Sequence, residues 1–236
     1  VKPENITDTL YNERATAINF WVALDKLIKA SAAGDIVYIY FSGHGEFNDE
    51  TFPKQLVLVA HNCLKDIFEP SSNIGTNNLN GYINKMASKG IKVYLIIDAC
   101  HSGGVASSIE DVSTGMYASS IQGWKEPVKM LSCMSEQTSA ESSKYGEGRG
   151  RFSYYLLRGM EGLANMDANS DVTLAELYFY LSQMMPADQK PVIKPESEFN
   201  TVVSHIDAKI LEQLKKEEAD KVTGKNPGLA KKNINN

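Results

Sequence analysis

The order of apolar segments predicts an α/β fold, with a mostly parallel central sheet and helices on both faces. Residues 36–41 (IVYIYF) and 91–97 (IKVYLII) are continuous apolar runs, as expected of central strands that are covered on both faces. Residues 14–32 carry apolar side chains at helical spacing, with a wide face to bury. Because helical and extended segments alternate along the chain, the strands are expected to run parallel.

The other elements continue this alternation. Gly34 and Gly90 each follow a helical segment, at a position where glycine commonly ends a helix. Residues 104–126 are rich in Ser and Gly and have weak periodicity, which indicates a long loop. Further helices are predicted near residues 76–88, 150–162 and 174–183, and further strands near 55–60 and 128–133.

Composition narrows the class of protein. The chain has 236 residues and a formal net charge of −5, which suits an ordinary folded domain and disfavours a nucleic acid partner. No apolar run reaches the roughly 18 residues of a membrane span, and the first residues do not resemble a signal peptide. Cys63, Cys100 and Cys133 are too few for a disulfide scaffold and lack zinc-ligand spacing, so we expect a reducing, cytoplasmic setting.

The composition also changes near the carboxyl end. We expect one domain over residues 1–206 and a tail or linker over 207–236. The tail begins with a charged, helix-prone stretch and ends in a polar sequence with Gly and Pro, which is typical of disorder.

Two motifs place reactive side chains where the central strands are expected to end. His44 lies in YFSGHGE and Cys100 in IIDACHSGG. Because the carboxyl ends of neighbouring parallel strands meet at one edge of a sheet, these two residues are expected to meet there. An imidazole next to a thiol favours the nucleophilic thiolate. The alternative is a buried core thiol and a loop histidine with no shared role.

The glycines beside the histidine fit the same interpretation. Gly43 and Gly45 are expected to let the backbone turn sharply and let a substrate come close. The backbone N–H groups of Gly45 and Cys100 are candidates for an oxyanion hole.

The two motifs resemble those of caspase-like cysteine peptidases of the metacaspase type, including their bacterial relatives. The histidine precedes the cysteine by roughly 50 residues, as in caspases. Asp98 before the Ala-Cys pair and His101 after it correspond to the metacaspase form. The segments NERATAIN, SCMSEQTSAES and GRFSYYLLRGMEG are also similar to family segments, so the resemblance covers about residues 10–185.

This resemblance implies a caspase-like three-layer sandwich and hydrolysis of peptide bonds after Arg or Lys through a thioester. His44 would protonate the leaving amine and then activate water. Ser42 and Asp98 match positions of the pocket for the basic side chain, and Glu136 would be a substitute acid at its rim. The alternatives are that Asp98 caps a helix following Cys100 and that Ser42 is an ordinary turn residue.

The resemblance also implies features that this sequence lacks or alters. In the family, a first strand and helix would lie before Val1, so the sheet is expected to lack a strand. Family members often cut themselves in the loop after the cysteine, where Lys125 is the first candidate. The resemblance favours a monomer. Two alternative functions remain: an interaction or signalling module with weak or no catalysis, and another thiol-dependent enzyme, such as a thioesterase or acyl transferase.

Calcium activation is common in the family, and it stays open here. Residues 167–177 resemble an EF-hand loop at the first three ligand positions, but lack the glycine at the sixth, and Tyr178 replaces the glutamate at the twelfth. Thr173 and Glu176 instead match a capping box. We therefore predict no metal site and no required cofactor.

Overall fold

The computed structural model describes residues 5–48, 55–63, 72–101, 124, 127–132, 145 and 150–222. In chain order the described strands are β1 (Ile36–Asn48), β2 (Gln55–Leu58), β3 (Ile74–Gly75), β4 (Lys92–His101), β5 (Val128–Leu131), β6 (Asp171–Thr173), β7 (Val192–Lys194) and β8 (Val202–His205). The described α-helices are α1 (Ala17–Ala30), α2 (Thr76–Ser88), α3 (Arg151–Arg158), α4 (Leu174–Met184) and α5 (Ala208–Val222).

The chain divides into two compact units. The first comprises Val1–Tyr154 and Met185–Glu198, and the second Tyr155–Met184 and Phe199–Asn236.

The first unit contains a six-stranded sheet with the order β3-β2-β1-β4-β5-β7. The central strands β1, β4 and β5 are parallel, and the longest ladder joins β1 to β4. The outer strands β2, β3 and β7 are antiparallel to their neighbours. This mixed, mostly parallel sheet confirms the predicted α/β class.

Alternate residues of the central strands face α1 and α2 and form the core of the first unit. This burial of apolar side chains is the main stabilising contribution to such a layer. The opposite face carries the start of α3, where Ser153 contacts Asp98 of β4. The buried cluster includes Val37, Ile39, Val93, Leu95 and Ile97 of the sheet, Leu24 and Ile28 of α1, and Leu79, Ile83 and Met86 of α2.

Several predicted elements are confirmed. The helix predicted near residues 76–88 is α2, and the one predicted over 14–32 is α1. Gly34 and Gly90 adopt φ values of +93° and +78°, the left-handed conformation that favours glycine after a helix. The N–H of Gly34 donates to the carbonyl of Gly90 at 2.9 Å, so the two chain reversals are tied together.

The expectation that β1 ends at the Ser-Gly-His-Gly sequence is wrong. β1 continues to Asn48 because it pairs with β2 from Gly45 onward, and β4 likewise continues through the cysteine to His101. Gly43 and Gly45 therefore lie in a strand and not in a sharp turn, and neither has a positive φ. At Gly43 a β-carbon would lie 3.2 Å from the ring of Phe41, so packing explains this glycine better than turning does.

Among the described strands, the first half of β1 has a neighbour on one side only. Residues 36–43 pair with β4, and on the other side β2 joins only from Gly45. No partner strand lies along this edge within the described residues.

β7 was not predicted from the sequence. It has three residues, Val192–Lys194, and lies between Pro191 and Pro195, which are signals against a strand. β7 nevertheless pairs antiparallel with β5 at the edge of the sheet, where the missing N–H groups of the prolines are tolerated.

In the second unit, the charged stretch expected to be a tail begins with α5. Leu214 of this helix is buried, and Arg158 donates to Glu217 and Glu218. α5 is therefore packed in this unit and is not a solvated linker. Residues 223–236 lie outside the described residues. None of the described helices is long and apolar enough to cross a membrane.

The capping box at the start of α4 is confirmed. The Thr173 N–H and hydroxyl each donate to Glu176 Oε2 at 2.8 Å, and the Glu176 N–H donates back to Thr173 Oγ1 at 3.3 Å. The Met166 N–H donates to Glu176 Oε1 at 2.9 Å. Glu176 therefore joins α4 to the preceding loop.

The capping box should make part of the free energy of unfolding depend on pH. Burial raises the pKa of Glu176, but hydrogen bonds from the Met166 and Thr173 N–H groups and the Thr173 hydroxyl hold the pKa below its ordinary value of 4.5. A carboxylate with a lowered folded-state pKa stabilises the fold above its unfolded pKa, and this contribution is lost as the pH falls through the folded pKa. Urea unfolding should show the wild type losing its advantage over Glu176→Gln below about pH 4.5. A constant difference from pH 7 to pH 3 would contradict this.

Candidate active site

The ladder between β1 and β4 aligns His44 with Cys100. The Cα register runs Ser42↔Asp98, His44↔Cys100 and Gly45↔His101. Adjacent strands lie about 4.8 Å apart, and residues two apart share a face of the sheet. Positions 42, 44, 98 and 100 therefore form a compact square on one face. The side chains of Cys100 and His101 lie outside the described part of the structure.

The backbone of His44 is held from both sides. β4 pairs with it on one side, and on the other the Val59 N–H donates to the His44 carbonyl at 2.8 Å. The side chain of His44 is exposed. An exposed imidazole on a fixed backbone can exchange protons with solvent and with a substrate while its position beside residue 100 is maintained.

Gly45, the candidate oxyanion donor, is buried and pairs with both Leu58 and His101. Its N–H could donate to an oxyanion only if it were not hydrogen bonded to a neighbouring strand. The second candidate donor, the Cys100 N–H, also belongs to a strand residue, and Cys100 pairs with His44.

The carboxylate of Asp98 is buried, with 4% of the residue exposed. Its Oδ2 accepts a hydrogen bond from the Ser153 N–H at 3.1 Å and another from the Ser153 hydroxyl. Ser153 is the third residue of α3, so Asp98 accepts one of the N–H groups that a helix start leaves without a helical partner. Asp98 thus caps α3, which begins 53 positions later, whereas we had considered a cap on a helix directly after Cys100.

Two further residues, Tyr40 and Gly150, lie next to Ser153 and Asp98. The Tyr40 hydroxyl lies 2.7 Å from Ser153 Oγ. Since Ser153 gives its proton to Asp98, Tyr40 is the donor in this pair. Gly150 lies against the carboxylate, and a β-carbon there would be 2.3 Å from Asp98 Oδ2.

These supporting residues were missed as site residues from the sequence. The segment GRFSYYLLRGMEG had been recognised only as a family-like helix. The available signal was general, because the first turn of any helix has N–H groups without helical partners and favours a carboxylate nearby.

Other predicted positions lie outside the described residues, namely Glu136, Lys125 and all of the loop 104–126 except Trp124. Cys63 is described, is half-buried and makes no disulfide. Among the described residues no cluster of three or more His, Cys, Asp or Glu side chains could hold a metal ion.

Because Asp98 is buried and hydrogen bonded, its loss has a predictable cost. Asp98→Ala should lower the free energy of unfolding by about 1–3 kcal/mol, since the Ser153 N–H would lose its buried acceptor. Asp98→Asn should cost less, because its amide oxygen still accepts. Urea unfolding would measure both, and an Asp98→Ala variant as stable as wild type would show that the cap contributes nothing.

Comparison with known proteins agrees with the motifs. Residues 2–108 match the family model described as metacaspase, peptidase C14 domain. Metacaspase-1 of Arabidopsis thaliana is 30% identical over 148 residues, which cover 54% of this chain and 38% of that protein. Metacaspase-2 of the same plant is 27% identical over 170 residues, covering 62% of this chain and 38% of that protein. Metacaspase-1 of Plasmodium falciparum is 30% identical over 115 residues, covering 49% and 18%.

The chain thus spans less than two-fifths of the length of these relatives. The fold is also shared with a protein of known crystal structure from Geobacter sulfurreducens, with a TM-score of 0.54, 22% identity and coverage of 82% of this chain and 79% of that one. These comparisons show that the chain is similar to metacaspases, and the match to the family model lies in residues 2–108.

Proposed function

We propose that this chain is a cysteine endopeptidase that cuts peptide bonds after Arg or Lys, with His44 and Cys100 as its catalytic dyad. The family supports a cysteine peptidase in general terms. The observation that carries the finer proposal is the parallel register, in which His44 and Cys100 are direct partners two positions beyond Ser42 and Asp98.

The proposed reaction has two half-reactions. His44 takes the proton of the Cys100 thiol, and the thiolate attacks the carbonyl carbon of the scissile bond. The resulting oxyanion accepts hydrogen bonds from the Cys100 and Gly45 N–H groups once these are outside the strand ladder. His44 gives its proton to the departing amine, which leaves a thioester on Cys100. His44 then takes a proton from water, the resulting hydroxide attacks the thioester, and the acid product and free thiol are released.

The proposed specificity comes from Asp98 and Ser42. A buried carboxylate close to the nucleophile attracts a guanidinium or ammonium group, because a charged partner offsets the cost of burying the acid. Ser42 is exposed and pairs in register with Asp98, so its hydroxyl suits the rim of the same pocket. Glu136 is retained as a further acid at this rim.

A panel of fluorogenic peptides tests this proposal. Peptides with Arg or Lys before the cleaved bond should be hydrolysed, and those with Asp or Ala should not. Cys100→Ala and His44→Ala should each lower kcat/KM by at least about a hundredfold, because the nucleophile or its acid–base partner is lost. Asp98→Asn should remove the preference for basic residues while leaving the dyad intact.

The same panel contains the controls. Cys63→Ala should retain wild-type turnover, and assays with calcium or EDTA separate a calcium requirement from inactivity. Hydrolysis that prefers Asp would overturn the pocket assignment. Turnover of thioesters alone would favour another thiol-dependent enzyme, and no turnover in any condition would favour an interaction module.

Self-processing after Lys125 is part of the proposal. The residue before it, Trp124, is buried in the core of the first unit, and the ammonium group of Lys129 donates to its carbonyl. Cleavage after Lys125 would therefore leave a new carboxyl terminus one residue after the buried Trp124. Mass spectrometry of wild type should find this cut, and Cys100→Ala and Lys125→Gln should lack it. Identical cutting of wild type and Cys100→Ala would assign the cut to another protease.

A further inference from the structure

We infer that Ser153 is a positioning residue that sets the preference for arginine over lysine, by fixing the plane of the Asp98 carboxylate. This inference rests on the proposed function, in which Asp98 receives the basic side chain. Ser153 belongs to α3, far from the dyad in sequence, and 55 positions separate it from Asp98. It contributes two donors to one carboxylate oxygen, the backbone N–H and the hydroxyl.

The two donors restrict rotation of the carboxylate. A single hydrogen bond would let the group turn about its last side-chain bond, whereas two donors on the same oxygen, from a helix backbone and a hydroxyl, hold it in one plane. Gly150 also lies against the carboxylate, since a β-carbon at residue 150 would stand 3.0 Å from Asp98 Cγ. The group is also nearly removed from solvent, so water does not compete for these bonds.

The hydroxyl of Ser153 is itself held by Tyr40. The Tyr40 O–H donates to Ser153 Oγ, which donates to Asp98, so three groups form a chain that ends on the carboxylate. Hydrogen bonds in such a series polarise one another, which strengthens each of them. Tyr40 lies on the same face of β1 as Ser42 and His44, two and four positions before them. These hydrogen bonds therefore connect the start of α3 to β1, the strand that carries the candidate base His44.

A fixed plane affects the two basic side chains differently. The guanidinium of arginine is a planar fork that pairs with a carboxylate in a defined orientation, whereas the ammonium of lysine is a compact point charge with freely rotating donors. If the Asp98 carboxylate keeps its charge but loses its fixed orientation, recognition of arginine should therefore weaken more than recognition of lysine. A residue that only supported the fold would impair both substrates alike.

Steady-state kinetics with matched Arg and Lys peptides test the inference. Ser153→Ala should raise KM for the Arg peptide about tenfold, as expected for one lost hydrogen bond to a charged group. It should raise KM for the Lys peptide about threefold or less and leave kcat within about twofold. Ser153→Thr, which keeps the hydroxyl, should restore the wild-type ratio. Tyr40→Phe should shift the ratio in the same direction by a smaller factor, because it removes only the outer link.

Two glycine variants form a matched pair. Gly150→Ala displaces the carboxylate and should lower the Arg-to-Lys ratio, whereas Gly81→Ala on α2, where a β-carbon meets nothing within 4 Å, should not change it. If Ser153→Ala does not fold, Tyr40→Phe and Gly150→Ala still decide the question. Benzamidine, a guanidinium-like probe, provides a second readout that does not depend on turnover, and its Kd should rise in Ser153→Ala.

The outcomes separate the two proposals. If wild type shows no preference for basic residues, or if Asp98→Asn keeps that preference and binds benzamidine normally, the pocket assignment and this inference both fail. If Asp98→Asn loses the preference while Ser153→Ala and Gly150→Ala keep the wild-type Arg-to-Lys ratio, only this inference fails. Equal losses for both peptides in Ser153→Ala would also overturn it, in favour of a structural role.

Discussion

The parallel pairing of β1 with β4 is the constraint on which the site depends. The ladder extends from Ile36↔Lys92 to Gly45↔His101 without a break, and one face of both strands is covered by the apolar side chains of α1 and α2. Since a slip of one residue would move every side chain to the other face, the buried core holds the register. The same register sets His44 opposite Cys100, so the packing that stabilises the sheet also assembles the candidate dyad.

Asp98 connects this sheet to the start of α3. It lies on β4 two residues before Cys100 and caps the start of α3 through Ser153. A buried carboxylate normally costs stability unless it is hydrogen bonded, and here the helix start supplies the donors. The same carboxylate can therefore serve the fold and the proposed pocket, so loss of stability and loss of specificity must be measured separately in variants of Asp98.

Much of this arrangement was predictable because the responsible signals are local. Apolar runs marked β1 and β4, α2 lies at its predicted residues, and the Thr173–Glu176 capping box was read from four residues. The missed features depend on distant partners. β1 extends through a glycine-containing sequence because β2 pairs with it, and Ser153 finds Asp98 across 55 positions. β7, between two prolines, forms because β5 offers an edge.

The proposed mechanism requires an interaction between His44 and Cys100. The rate of alkylation of each cysteine by iodoacetamide, followed at neutral pH by peptide mass spectrometry, measures this interaction, and Cys63 in the same molecule is the internal reference. Cys100 should react roughly tenfold faster in the wild type than in His44→Ala, because the imidazole favours the thiolate. Cys63 should react at the same rate in both proteins. Equal rates for Cys100 in both proteins would contradict the dyad.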